Sequence, residues 1–459
     1  MFYRNHKGVN FIKEKKEYGL WTATSMIIGI CVGSGIFFKV DDILLFTGGK
    51  IYLGILVFII GALSIIFGSI SLTNLATLTD GTGGMVAYFE EFYSKKLASA
   101  FGWYQTFLYY PTVTVVVAWA SGIYTILLLN LPDSLDLQMG IGLGYLLFFY
   151  ALNILSKHLG GRFQVISSVA KLIPLIGIGL IALFWKQSTP AIPTDIPLQP
   201  VQDVGWGWLA ALAPMAFSYD GWPIALSISH EVKNSKKIMP LALTIGPLIV
   251  LGVYLTYFLG MTHILGSEYI MSVGNGAVTT IGDLLIGPSG KTILLLFVLI
   301  SILGVVNGVI LGHLRMPYAL VAKQMFPQPK NKTTQKSQEF YSAMISLGTA
   351  LTWYLIHYIT QKFGLLKTGD VSEIAIVFGY FYYMMLYVKV LHMYLKKQLT
   401  NVFTGLVAPI LAIIGGLIIL VGGVSSNPKS MIIFFVICSA FCFIGFNYYK
   451  KRHITLKPN

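Results

Sequence analysis

Runs of about twenty apolar residues, each long enough to cross a bilayer as a helix, alternate along the chain with polar connections. They fall at 20–46, 51–78, 98–129, 138–155, 161–185, 205–229, 239–264, 285–322, 339–359, 371–395, 403–423 and 430–449. The pattern predicts an all-α polytopic membrane protein with twelve transmembrane helices. Short connections leave no room for a soluble domain, so residues 1–459 form a single transmembrane unit. It divides into a polar segment over 1–19, ten helices over 20–395, two further helices over 403–449 and a tail over 450–459. The connection from Lys186 to Val204 carries Pro190, Pro193, Pro197 and Pro200 and is expected to be extended.

Two of these runs are interrupted. Gly29, Gly33 and Gly35 crowd the first, and the sixth reads Pro214-Met-Ala-Phe-Ser-Tyr-Asp-Gly-Trp-Pro223. Glycine, Asp-Gly and proline are where a helix unwinds and frees backbone N–H and C=O groups. Such groups cost several kcal/mol each in hydrocarbon, roughly, unless they face a cavity or a ligand. The alternative for the glycines is close packing of helices through small residues. Helix 6 follows helix 1 by five segments and so enters from the opposite face, which fits an inverted repeat with a binding site where the breaks cross.

Composition sharpens this picture. The chain is 55% hydrophobic and 11% charged, too apolar for a soluble protein of this length. Its net charge of +14 is spread over short connections, which argues against nucleic-acid binding. Cys31, Cys438 and Cys442 lie in apolar runs without metal-ligand spacing, and no cofactor or metal is expected. No Ser/His/Asp, metal-ligand or phosphate-loop constellation points to an enzyme. With both termini cytoplasmic, twenty-four Lys and Arg fall inside and seven outside, with Lys171 inside a helix.

In order along the chain stand Gly33-Ser-Gly-Ile-Phe37, Gly83-Gly84 with Ala87-Tyr88, Ala170-Lys-Leu-Ile-Pro174, and Phe217-Ser-Tyr-Asp-Gly-Trp222 followed by Glu231-Val-Lys-Asn234 and Pro240. Asn307-Gly308 and Arg315-Met-Pro-Tyr-Ala319 complete the set. Over almost its whole length the chain thereby resembles the amino acid–polyamine–organocation superfamily. Bacterial serine/threonine exchangers and the light subunits of heteromeric amino-acid transporters are the nearest branches. The resemblance implies a 5+5 inverted-repeat (LeuT-like) core with broken helices 1 and 6. It also implies a sodium-independent exchanger of amino acids that works by alternating access in the cell membrane.

An amino acid carries a carboxylate and an ammonium. Amides at Val32, Gly33, Ser34, Gly35 and Ile36, at the positive end of the second half of helix 1, suit the carboxylate. Carbonyls of Ile28, Gly29, Phe217, Ser218 and Asp220 suit the ammonium. The Asp220 carboxylate can instead cap helix 6 or pair with a cation. Phe217 is a core aromatic by composition; the resemblance makes it an outer gate. Lys171 sits about ten residues into helix 5, roughly 15 Å from the inner end at 1.5 Å per residue, too far to snorkel comfortably. In sodium-independent relatives a lysine here takes the place of a sodium ion, which implies a tie between helix 5 and helices 1 and 8. Tyr109, Tyr110 and Pro111, with Tyr380, Tyr382 and Tyr383, are candidate pocket walls or packing residues. Asn307 is a lining or helix-tying residue, and Glu231 is expected either in an inner gate, paired with Arg315 or a nearby lysine, or in ordinary surface pairing.

Asp41 and Asp42 depart from that pattern. The outer side carries ten acidic residues, an acidic vestibule that would favour amines, unless these are ordinary helix caps. An amine antiporter, for example agmatine against putrescine, therefore stands as the alternative, and an amino-acid sensor without flux as the remote one. No disulfide-linked heavy subunit is expected, because no cysteine lies in an outer connection.

Overall fold

The computed structural model describes residues 19–32, 35–78, 84–156, 163, 167, 169–222, 232–328, 334–366 and 369–454. Every regular element among them is helical. In chain order they are α1 (Leu20–Cys31), α2 (Gly35–Phe38), α3 (Val40–Phe46), α4 (Ile51–Ala76), α5 (Met85–Phe92), α6 (Lys95–Tyr104), α7 (Tyr110–Leu129), α8 (Leu135–Leu155) and α9 (Leu172–Ala182). Then come α10 (Leu212–Ser218), α11 (Ser235–Leu265), α12 (Ser267–Val273), α13 (Ala277–Ile286), α14 (Pro288–Ala322), α15 (Gln335–Lys362), α16 (Val371–Leu395), α17 (Ala408–Ser426) and α18 (Pro428–Ile454). A π turn over Gln105–Tyr109 joins α6 to α7, and a 3-10 turn over Gly205–Ala211 leads into α10.

Eight of the described helical stretches are long and apolar enough to cross a membrane. The first and sixth apolar runs are divided instead, the first into α1, α2 and α3, the sixth into the 3-10 turn and α10. The connections are less plain than their polarity predicts. The stretch after α4 folds into α5, and the one after α11 into α12 and α13. Each buries one apolar face: Met85, Val86 and Phe89 in α5, Ala277, Val278 and Ile281 in α13. Short amphipathic helices of this kind are invisible to a search for uninterrupted apolar runs. The proline-rich connection over 186–204 has no helix or strand.

The core is a large cluster of buried side chains that runs through α2, α4, α7, α11, α14 and α16, with a small second one of Ile66, Ile70 and Ala408 between α4 and α17. Outside it, α17 packs on α4 and α16, and α18 on α6. The outer face of α18 exposes Ile432, Ile433, Val436 and Phe443. In a bilayer that surface is solvated by lipid, so its exposure carries no penalty. The helix α15 is longer than most of the spanning helices but buries Ser342, Ser346 and His357 along its inward face.

Candidate functional site

Two helix ends meet at the centre. The first apolar run stops at Cys31, and Val32 turns to an extended conformation (ψ 90°) while its N–H still reaches the Ile28 carbonyl at 2.8 Å. The chain resumes as a helix at Gly35. There a Cβ would lie 2.7 Å from the Cα of Ser218 and 2.9 Å from the Phe217 ring, so only glycine permits the two backbones to approach this closely. The sixth run stops at Ser218 and leaves the helix through Tyr219, Asp220 and Gly221, whose φ of +96° is strained for any residue with a side chain. Gly33 and Ser34 lie outside the described residues. Val32, Ile36 and Phe217 are buried.

Freed backbone groups near the breaks have partners. The Lys171 ammonium, 2% exposed, donates to the Gly29 carbonyl at the C-terminal end of α1. A cation at the negative end of a helix is the favourable arrangement. The Ser218 carbonyl accepts from the Tyr254 hydroxyl at 2.7 Å, and the Phe217 carbonyl from the Asp220 N–H at 3.1 Å. Of the carbonyls that suit an ammonium on sequence grounds, Ile28, Gly29, Phe217 and Ser218 are thus each already engaged from within the protein. The Asp220 carboxylate, half-buried, accepts from the Tyr109 hydroxyl.

Tyr109 is aimed there by the π turn. One extra residue over Gln105–Tyr109 lets the Tyr110 N–H bond to the Gln105 carbonyl, and turns the carbonyls of Thr106 and Phe107 toward side chains of other helices. The His313 Nε2–H meets the Thr106 carbonyl at 3.0 Å, and the Trp353 indole N–H meets the Phe107 carbonyl at 2.6 Å. His313 is completely buried, and its Nδ1 accepts from the Tyr150 hydroxyl at 2.9 Å, so both ring nitrogens are used and the tautomer is fixed. Nothing in the sequence singled out His313 or this turn; π turns leave no local signature, although they recur at functional sites. Tyr110 turns the other way and stacks on His313 at 5.8 Å.

The remaining candidates divide. Asn307 accepts from the Asn153 side-chain amide at 2.8 Å and ties α14 to α8. Tyr382 stacks on Tyr104 at 5.6 Å and donates to Cys442, whereas Tyr383 meets Trp222 edge-on at 5.6 Å and Tyr380 at 5.4 Å. Arg315 is exposed on α14; its expected partner Glu231 lies outside the described residues.

The acidic residues near the breaks are arranged differently from an open vestibule. Lys39, between α2 and α3, donates to Asp42 at 3.2 Å, Asp370 at 2.8 Å and Glu373 at 2.5 Å. The side chains of Lys39, Asp370 and Glu373 are 4%, 2% and 2% exposed. Asp370 also caps α16, accepting from the N–H groups of Ser372 and Glu373. Asp41 and Asp42 occupy the first turn of α3, where a carboxylate complements the helix dipole. Farther out, Lys50 pairs with Asp203 at 3.0 Å, and the Gly205 N–H together with Lys50 holds the Asp203 carboxyl below its usual range. Pairing by lysine was missed because Lys39 and Glu373 are remote in sequence.

Residues 18–455 match the model of the amino acid permease family. The chain belongs to that family. It is 29% identical over 373 residues to the serine/threonine exchanger SteT of Bacillus subtilis, covering 81% of this chain and 82% of that one. The human b(0,+)-type amino acid transporter 1 is 25% identical over 431 residues, 90% of this chain and 84% of its own. The human cystine/glutamate transporter is 25% identical over 337 residues, 70% of this chain and 64% of its own. The chain is therefore a multi-pass membrane transporter of the amino acid permease family and not an enzyme.

Proposed function

We propose that this permease exchanges amino acids, small neutral ones foremost, across the cytoplasmic membrane by alternating access and without sodium. The observation that carries the reading is the crossing of the two breaks at Gly35 and Ser218, with the Lys171 ammonium on the Gly29 carbonyl beside it. A fixed positive charge there performs the tethering that a sodium ion would otherwise perform, which supports sodium independence. The amides from Gly33 to Ile36, at the start of the second half of helix 1, are the candidate carboxylate cradle; the Val32 N–H, expected there on sequence grounds, is already engaged by the Ile28 carbonyl. Since four of the five candidate carbonyls are occupied, the Asp220 carboxylate becomes the group best suited to a substrate ammonium, with Tyr109 as its holder.

In this reading ten helices over 20–395 form the 5+5 core of twelve spans, both termini are cytoplasmic, and Phe217 closes the outer side. No disulfide-linked heavy subunit takes part. An amine antiporter is the second reading, favoured by the same Asp220. Counterflow in proteoliposomes separates them. Vesicles loaded with one unlabelled solute are tested for uptake of labelled serine, threonine, alanine, leucine, arginine, agmatine or putrescine, without sodium or a pH gradient. Exchange of the neutral amino acids is the expected result; exchange confined to amines would overturn it. Binding without any exchange would leave a sensor.

A further inference from the structure

The buried ion cluster at Lys39 is not used by the transport chemistry above, and its composition is unbalanced. Among the described residues one ammonium faces three carboxylates, those of Asp42, Asp370 and Glu373, with Asp41 immediately before Asp42 in α3. Removing charges from water costs several kcal/mol apiece, roughly, and excess like charge adds to the cost. Such a cluster has a strong tendency to take up a proton when it can reach one. A narrow crevice lined by Phe46, Leu366, Asp370, Glu373, Asn427 and Met431 borders the two carboxylates of α16.

A buried imidazole borders the same cluster. His357 on α15 is completely buried, and neither ring nitrogen has a hydrogen-bond partner among the described residues. It stands in electrostatic range of Asp370 and Lys39, with its ring edge-on to Trp119 at 4.9 Å. Charged or titratable groups thus face the cluster from α2–α3 (Lys39, Asp41, Asp42), α15 (His357) and α16 (Asp370, Glu373). Tyr124 of α7 and Tyr257 of α11 stand in range of Asp41. On its other side, the Lys39 ammonium lies 5.6 Å from the centre of the Phe217 ring.

We propose that Lys39 is a positioning residue for the outer gate: by gripping Asp370 and Glu373 it holds the segment after the first break, and Phe217 against it, shut onto α16, and protons from the outer side loosen that grip. The inference rests on the exchanger reading for its transport consequences only. A proton on Glu373 removes the acceptor at 2.5 Å and one counter-charge, which favours the outward-open state. An outward shift raises the fraction of protein competent to bind from outside and lowers the fraction competent from inside, so the two apparent KM values move in opposite directions.

Two measurements test it. In vesicles of fixed internal pH, the outer KM of the wild type is expected to fall about three- to tenfold as external pH drops from about 7.5 to about 5.5, while the inner KM rises. Glu373→Gln and Lys39→Gln should hold the outer KM at its acid value across that range, and Lys39→Arg should restore the pH dependence. A residue that merely stabilises the fold would lower the amount of active protein without splitting the two KM values. Independently of flux, Phe46→Cys is exposed to a membrane-impermeant maleimide at one neutral pH, the parent protein giving the background from Cys31, Cys438 and Cys442. Adding Glu373→Gln or Lys39→Gln should speed labelling several-fold. Unchanged labelling together with an unchanged pH profile overturns the latch even if exchange is robust. Faster labelling in a protein that exchanges no solute upholds the latch and defeats the exchanger reading instead.

Discussion

Gly35 and Ser218 come from the first and the sixth apolar runs, yet a single added carbon on one would overlap the backbone of the other at 2.7 Å. The contact fixes how closely two interrupted helices approach.

Gly35→Ala is therefore expected to separate the breaks and reduce exchange at least about tenfold. The obstructing atom is backbone Cα rather than the end of a flexible side chain, so relief requires movement of a helix. Initial counterflow rates, normalised to monodisperse protein, measure the effect. Wild-type rates in the alanine variant would show that the approach is not functional.

Lys171→Ala leaves the Gly29 carbonyl without its donor. A hydrogen bond from a charged group is worth about 1.5–3 kcal/mol, which corresponds to roughly a ten- to hundredfold effect if it is needed in the cycle. Full exchange by the alanine variant would dispose of the tethering role.

Tyr109→Phe removes the hydroxyl that holds the Asp220 carboxylate. The outer KM should rise, and Asp220→Asn should raise it as well. Because the two groups share one bond, the double variant should be no worse than the poorer single one. Additive losses in that cycle would mean that the residues act separately.

His313→Ala strands the Thr106 carbonyl in a buried site, while the Tyr150 hydroxyl keeps the Ser346 carbonyl. The expected cost is about 1–3 kcal/mol per unsatisfied group, read as a lower midpoint in a thermal unfolding assay in detergent. An unaltered midpoint would show that the π turn stands without this support.

The ion pair of Asp203 with Lys50 gives a pH dependence of known sign. The folded carboxyl lies below its ordinary value of 3.8, so its contribution is present above that value and is lost as pH falls toward the folded one. Amide exchange in the connection over 186–204 should accelerate in that acid window beyond the intrinsic rate. Asp203→Asn should abolish the extra acceleration.

How much of this was legible depends on the range of the interaction. The breaks could be read because glycine and Asp-Gly act on their own backbone, and Lys171 because a lysine at mid-depth is conspicuous by itself. The grip of Lys39 on Asp370 and Glu373 could not be read, since the partners lie 331 and 334 positions away and only the packed fold joins them. The acids were counted as a vestibule because sequence gives side but not direction. The helices α5, α12 and α13 were passed over for a third reason: their hydrophobic faces are too narrow to register as runs.

The π turn carries one more implication. Each residue in a helix advances the next by about 100°. A π turn absorbs one residue beyond that count, so deleting a single residue between Gln105 and Tyr109 would close it into a regular helix and return the carbonyls of Thr106 and Phe107 to the ladder, while hardly changing composition. The tyrosine that meets Asp220 is therefore chosen by counting as much as by chemistry, and in this stretch the length of the chain is itself an inherited character.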